Sequence, residues 1–201
     1  MSGLPKVIAS SVIRSTHQGE SHGGVYIVDL ATGTYEQALD WNEEGIDWEG
    51  RGGDRGLRGI AFYQGDVYLA ASDEIFRYDR HFTLIESYRN PYLKHCHEIY
   101  GTDERLFVTS TGYDSVLEFD PARKAFVRGY CLRYGRIGTA LRRAHMRPRP
   151  RLTIFDPNSE AGPARGDTTH INSVYWQDGC LYVAGCRFGL LLGVRADELF
   201  S

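Results

Sequence analysis

Short runs of apolar and aromatic residues alternate with Asp- and Gly-rich turns along most of the chain. Such runs are typical of short β-strands joined by tight hairpin turns. The segment that begins at Arg58 aligns without gaps, through its first two predicted strands, with segments that begin at His97 and at Asn172. The pattern is therefore a repeat, and each copy contributes several strands.

Each repeat unit holds four predicted strands in roughly 40 residues, which is typical of a propeller blade. Complete units span 58–94 and 97–131. The chain supplies three strands before them and three after them, at about 6–13, 24–30, 33–39, 171–177, 180–186 and 189–195. We predict an all-β fold, a β-propeller of four-stranded blades, in one domain over 1–201. The ends either close a four-bladed ring or, as the incomplete outer units favour, belong to a larger propeller, commonly of six blades.

A basic insertion at about 132–169 interrupts the repeat. It holds seven arginines between Arg133 and Arg151, while Pro148 and Pro150 prevent a long helix. A short helix is expected over 137–146. The insertion is either a basic lid or anion-binding arm, or a solvated loop that balances an acidic stretch at 40–49.

Composition excludes several classes of protein. The formal charge of −3 and the pI near 6.2 give no basic field for nucleic acid or an anionic membrane. No run reaches the roughly 18 apolar residues of a membrane span. The four cysteines have no zinc-site spacing, so we expect free thiols and a cytoplasmic location.

Histidines mark the beginnings of the inner strands. Adjacent strands of a blade are antiparallel, so the connections that enter the inner strands all lie on one face of a propeller. In the aligned repeats His95 and His170 share a column with Gly56, and His97 and Asn172 share the next-but-one column with Arg58. Since residues two apart in an extended chain point the same way, these side chains are expected to converge on the axis.

Three kinds of chemistry suit this set of side chains. His95, His97 and His170 are candidate ligands of a divalent metal ion such as Zn, Mn or Fe. Arg55, Arg58 and Asn172 are candidate ligand-binding residues, because guanidinium groups hold carboxylates and phosphates. Glu98 and Asp54 are candidate catalytic bases. The alternative is structural: each histidine hydrogen-bonds a neighbouring blade and locks the repeats together.

Three motifs carry a resemblance to a known superfamily: Gly50-Arg-Gly-Gly-Asp-Arg-Gly-Leu-Arg-Gly-Ile-Ala-Phe62, His95-Cys-His97 and His170-Ile-Asn172. The chain resembles six-bladed β-propellers of the SMP-30/gluconolactonase-like and NHL-like kind, and is most similar to a bacterial propeller group of unknown function. Gluconolactonase-type relatives hold a divalent cation with Glu, Asn and Asp. The matching columns here hold His, Asn, Arg and Gly, so the resemblance does not imply a calcium lactonase.

The sequence predicts a small-molecule-binding propeller with a His/Arg-rich axial site, and metal-assisted hydrolysis and elimination are the candidate reactions. The expected partner is a small anionic or carbonyl-bearing ligand, with no nucleic acid and no membrane. Self-association is expected if the propeller is partial, because exposed strand edges pair readily. The alternative is a non-catalytic protein-interaction platform that uses the insertion and the neighbouring loops.

Overall fold

The structure is a computed structural model that describes residues 4–13, 17, 19–42, 56–144, 146, 149–187 and 192–195. Strands dominate it. They are β1 (Lys6–Ser10), β2 (Gly24–Asp29), β3 (Thr34–Asp40), β4 (Ile60–Tyr63), β5 (Asp66–Ala71), β6 (Glu74–Tyr78), β7 (Leu84–Arg89), β8 (Ile99–Gly101), β9 (Leu106–Ser110), β10 (Ser115–Asp120), β11 (Ala125–Arg133), β12 (Arg151–Phe155), β13 (Ile171–Gln177), β14 (Cys180–Gly185) and β15 (Leu192–Arg195). One α-helix, α1 (Arg136–Arg143), and one turn of 3-10 helix at Thr111–Tyr113 are also present.

The strands form four antiparallel sheets in chain order. The sheets run β1-β2-β3, β4-β5-β6-β7, β8-β9-β10-β11-β12 and β13-β14-β15. Within each sheet every strand pairs with its neighbour in sequence. Among the first strands of three successive sheets, β8 contacts both β4 and β13. The predicted all-β propeller of blade-like sheets is therefore confirmed, with the first strand of a blade innermost.

The core lies between the sheets rather than within one layer. One apolar cluster joins the first and second sheets, another the second and third, and another the third and fourth. Strand β5 shows how this works, because Leu69 faces the first sheet and Tyr68 faces the third. Strands covered on both faces read as continuous apolar runs instead of alternating ones.

Two of the three equivalent hairpin turns share one backbone geometry. Gln64 and Gly65 between β4 and β5 have φ of 49° and 88°, and Asp178 and Gly179 between β13 and β14 have φ of 50° and 74°. Positive φ at both central residues matches the right-handed twist of the paired strands. The equivalent turn between β8 and β9, which the structure describes in full, has no residue with positive φ, so the first and third of the aligned repeats correspond here and the second differs.

The insertion packs onto the third blade. Helix α1 occupies part of the segment where a short helix was expected, and β12 then pairs with β11 as a fifth strand. Tyr92, which follows β7, fastens the end of the insertion, because its hydroxyl donates to Ser159 O at 2.8 Å and accepts from the Gly162 N–H at 2.9 Å. None of the helical residues that the structure describes form a segment long and apolar enough to cross a membrane.

Candidate functional site

A polar cavity of about 240 Å³ opens where the inner strands begin. Residues from three blades contribute to it, since the segments that lead into β4, β8 and β13 all reach its wall. The lining residues are Arg58, Ser72, His95, His97, Thr111, Asp167 and His170. The convergence predicted for Arg58 and the three histidines is therefore present in this cavity.

Two of its histidine rings are in edge-to-face contact. The centroids of His97 and His170 lie 5.6 Å apart with the planes inclined by 62°. The backbone N–H of His97 donates to Thr109 Oγ1 at 3.0 Å, and the carbonyl of His170 accepts from the Cys186 N–H at 3.1 Å. Both residues are thus tied to the second strand of their own blade.

Arg58 contacts the His97 ring. Its Nη1 lies 3.1 Å from His97 Nδ1. A guanidinium has only donors, so Nδ1 must accept and the ring proton lies on Nε2. This bond links two neighbouring blades, as the structural alternative expected, and it also makes His97 Nε2 a hydrogen-bond donor.

The contact between Asp167 and the His170 ring has the opposite hydrogen-bond direction, because here the ring nitrogen donates. His170 Nδ1 lies 3.0 Å and 3.1 Å from the two carboxylate oxygens of Asp167. An ionised carboxylate only accepts, so Nδ1 carries a proton, and in the neutral ring Nε2 therefore has a lone pair. The two rings therefore offer one acceptor and one donor.

His95 and His170, which share a column of the aligned repeats, also share a backbone conformation. Both residues have left-handed conformations, with φ of 55° and 53°. Such a conformation costs a non-glycine residue roughly 1–2 kcal/mol, so it persists only where the surrounding structure enforces it. At His170 the enforcing group is the buried carboxylate of Asp114, which accepts from the N–H groups of Thr168 and Thr169 at 2.8 Å each.

The other predicted site residues have different surroundings. Glu98 Oε2 accepts from the Val174 N–H at 3.0 Å and so links the inner strands β8 and β13. Asn172 Nδ2 lies 3.0 Å from Cys186 Sγ, and Asn172 is not among the residues that line the cavity. The register between β13 and β14 shifts between Ile171 and Ser173, which breaks the two-residue alternation on which its predicted orientation relied. Asp54 and Arg55 lie outside the described residues.

Three lining residues were missed by the sequence reasoning. Ser72 and Thr111 occupy equivalent places after the second strands of their blades, so extending the repeat alignment by three residues beyond Leu69 and Val108 would have found them. Asp167 precedes His170 by three residues in a connection outside the repeat, and its spacing alone gave no signal.

The arrangement of the rings bears on the predicted metal. His170, with its Nδ1 held by a carboxylate, is oriented as metal-binding histidines usually are. His97 is not oriented in this way. A metal-binding lone pair on its Nε2 would place the ring proton on Nδ1, which would then have to donate toward Arg58, and a guanidinium cannot accept. Among the described residues, no group of three His, Cys, Asp or Glu side chains is placed to hold a metal ion. The pair fits proton transfer better than a three-histidine metal centre.

Comparison with known proteins gives no family. No protein-family model matches the chain, and no curated protein sequence is similar to it. Among solved structures, glutaminyl cyclase from Myxococcus xanthus is 13% identical with a TM-score of 0.42, over 98% of this chain and 75% of that one. A chain of a mitotic checkpoint complex is 10% identical with a TM-score of 0.47, over 94% and 57%. A catalytically inactive virginiamycin B lyase from Staphylococcus aureus, crystallised with quinupristin, is 12% identical with a TM-score of 0.33, over 96% and 89%. Likenesses this weak say nothing about the activity of this chain.

Proposed function

We propose that this propeller binds a small carbonyl-bearing or anionic molecule in the axial cavity and catalyses acid–base chemistry on it, with His170 as the general base and His97 as the proton donor. The observation that carries the proposal is the opposite polarity of the two rings, one held by a carboxylate and the other by a guanidinium. Hydrolysis and elimination both need one group that takes a proton and another that gives one.

In hydrolysis, His170 Nε2 takes a proton from water as its oxygen attacks the carbonyl carbon of the ligand. The N–H at His97 Nε2 donates to the oxygen on which negative charge develops. The carbonyl then re-forms, the bond from its carbon to the departing oxygen breaks, and that oxygen takes the proton held by His170. In elimination, the same base takes a proton from carbon and the same donor protonates the departing oxygen. Asp167 keeps the His170 ring in the tautomer and orientation that either reaction requires.

The hydroxyls of Ser72 and Thr111 belong to the same wall and supply polar contacts for orientation. The Thr111 hydroxyl donates to the Ile171 carbonyl, which ties it to the inner strand of the next blade. Membership of the gluconolactonase-like and NHL-like superfamily, a bound divalent metal and a cytoplasmic location stay predictions beside this proposal.

A substrate screen with matched histidine variants tests the proposed function. The panel consists of p-nitrophenyl esters, γ- and δ-lactones and β-hydroxy acids. For the β-hydroxy acids, elimination is followed by the absorbance of the new double bond. For a substrate that the wild type turns over, H170Q and H97Q should each lower kcat by about 100-fold or more, the usual contribution of a positioned acid or base. H81Q is the control, because His81 is exposed in the β6–β7 turn. Full turnover in H170Q would refute the assignment of the base.

One observation supports the alternative function, a non-catalytic protein-interaction platform. Ile137 and Met146 in the insertion are 78% and 56% exposed, and apolar side chains in such positions are common at protein interfaces. A platform would tolerate H97Q and H170Q and would lose its partner when Ile137 and Met146 are replaced by serine. An enzyme would lose activity in H97Q and H170Q and would tolerate serine at positions 137 and 146.

A further inference from the structure

A second cavity adjoins the axial one. It measures about 420 Å³ and lies between helix α1, the connection that leads into β13, and the turn after β14. Its lining residues are Tyr134, Thr139, Arg143, Asp167, Thr168 and Arg187. Asp167 lines both cavities, so a ligand whose reacting end lies in the axial cavity beside the two histidines can extend past Asp167 into the second space.

The charges of this second cavity do not cancel. Asp167, the one carboxylate among its described lining residues, holds the His170 ring and lies 3.6 Å from Arg187 Nη1. The Arg187 guanidinium also donates to the backbone carbonyl of Asp167. Arg143 is exposed at the end of α1 and has no ion-pair partner among the described side chains, which leaves a positive charge for a ligand to meet.

The segment that supplies Arg143 is basic throughout. No Asp or Glu occurs between Asp120 and Asp156, whereas the same stretch contains the whole arginine-rich part of the insertion. A guanidinium binds the oxygens of a carboxylate or phosphate through paired N–H groups, and desolvation beside a cavity wall strengthens this contact. Thr139 and Thr168 line the same wall, and the hydroxyl of Thr168 donates to Asp114.

We infer that the second cavity is an oxyanion subsite, and that the substrate carries a phosphate or carboxylate group held by Arg143 and Arg187 while its reacting end lies in the axial cavity beside His97 and His170. The inference rests on the proposed function for the reacting end only. Together the two cavities fall in the range of about 300–1,000 Å³ that small-molecule sites usually have.

Titration with two simple anions tests the subsite without the substrate. Sodium phosphate and sodium acetate are added separately at constant ionic strength, and the amide shifts of Thr139 and Thr168 are followed by ¹⁵N–¹H NMR. The anion that saturates these shifts at the lower concentration identifies which group the substrate carries. R143Q should weaken its binding about ten-fold, the effect of losing one charge-assisted pair of hydrogen bonds.

Matched variants separate this subsite from general attraction to a basic surface. Arg136 lies on the same helix, is exposed and does not line the cavity, so R136Q should change the affinity less than two-fold. Equal weakening in R136Q and R143Q would overturn the inference, as would the absence of saturable shifts in the wild type. Loss of binding in R58Q with full binding in R143Q would also overturn it, because the anion would then lie at the axis.

The failure of this inference is distinguishable from failure of the proposed function. H170Q removes the base and leaves the second cavity intact, so anion binding should persist in that variant. If R143Q binds phosphate and acetate as the wild type does while H170Q still abolishes turnover, the subsite is wrong and the acid–base assignment stands.

Discussion

Asp114 holds in place the connection that delivers His170 to the cavity. Its side chain is fully buried and accepts from the hydroxyls of Thr168 and Thr169 at 2.9 Å and 2.6 Å, in addition to their N–H groups. Arg133 Nε donates to it at 3.0 Å and balances its charge. A buried carboxylate with this many partners fixes the position of the backbone that it joins.

Replacing Asp114 with asparagine should be strongly destabilising. D114N replaces one acceptor oxygen with an NH2 donor that faces other donors, and it leaves Arg133 without a charged partner. Breaking a buried pair in this way costs about 3–5 kcal/mol. Asparagine tolerates the left-handed backbone that Asp114 adopts at φ 51°, so the loss is not due to backbone strain. Urea unfolding measures the effect.

The control for D114N is D103N in the exposed turn before β9, which should change the unfolding free energy by less than about 0.5 kcal/mol. A loss below about 1 kcal/mol in D114N would contradict the anchoring role.

Single residues also show where sequence reasoning stopped. Arg58, His95, His97 and His170 reach one cavity as the repeat columns predicted, since a column fixes the place of a residue in its blade. Asn172 does not line that cavity, because the local register shift at the start of β13 changes the side-chain alternation. Asp167 lies outside the repeat, and only tertiary structure brings its carboxylate to His170.

The sheets lock together through side chains that are buried on both faces of a strand. Tyr68 on β5 is 1% exposed and packs in the cluster between the second and third blades. Burial raises its pKa to about 12, against a smaller lowering by Arg77. The neutral phenol is thus the form that the native blades accommodate.

This raised pKa predicts a loss of stability in alkali. A group whose pKa is higher in the folded state contributes stability that is complete below its unfolded value, near 10, and lost as the pH rises toward 12. Denaturant unfolding at pH 9 and pH 11 should show a larger fall for the wild type than for Y68F, which keeps the ring and removes the proton. Equal falls in the two proteins would show that Tyr68 does not titrate with unfolding.

At the scale of elements, the repeat predicted the strands of the complete blades and their hairpin pairing. It did not predict β12, because a fifth strand arises from the insertion and depends on the free edge of β11. The helix in the insertion was expected from the residues between Gly135 and the prolines, and it occupies Arg136–Arg143. Edges and insertions are the parts that a repeat cannot specify.

At the scale of the molecule, the propeller brings residues from three blades to one point. Arg58, His97 and His170 are separated by long stretches of sequence, yet each precedes an inner strand, and the middle inner strand β8 contacts both β4 and β13. The blade-to-blade bond from Arg58 and the local bond from Asp167 then give the two rings opposite polarity. The function proposed for the protein depends most on this arrangement, in which His170 Nε2 accepts a hydrogen bond and His97 Nε2 donates one.

The most direct test is the tautomer of each ring, read from long-range ¹⁵N–¹H NMR correlations of histidine-labelled protein near pH 7.5. The account predicts the proton on Nδ1 in His170 and on Nε2 in His97, with His170 losing its preference in D167N and His97 losing its own in R58Q. H81Q, assigned as a control, should leave both signals unchanged. The same tautomer in both rings, or an unchanged His170 in D167N, would contradict the acid–base pair.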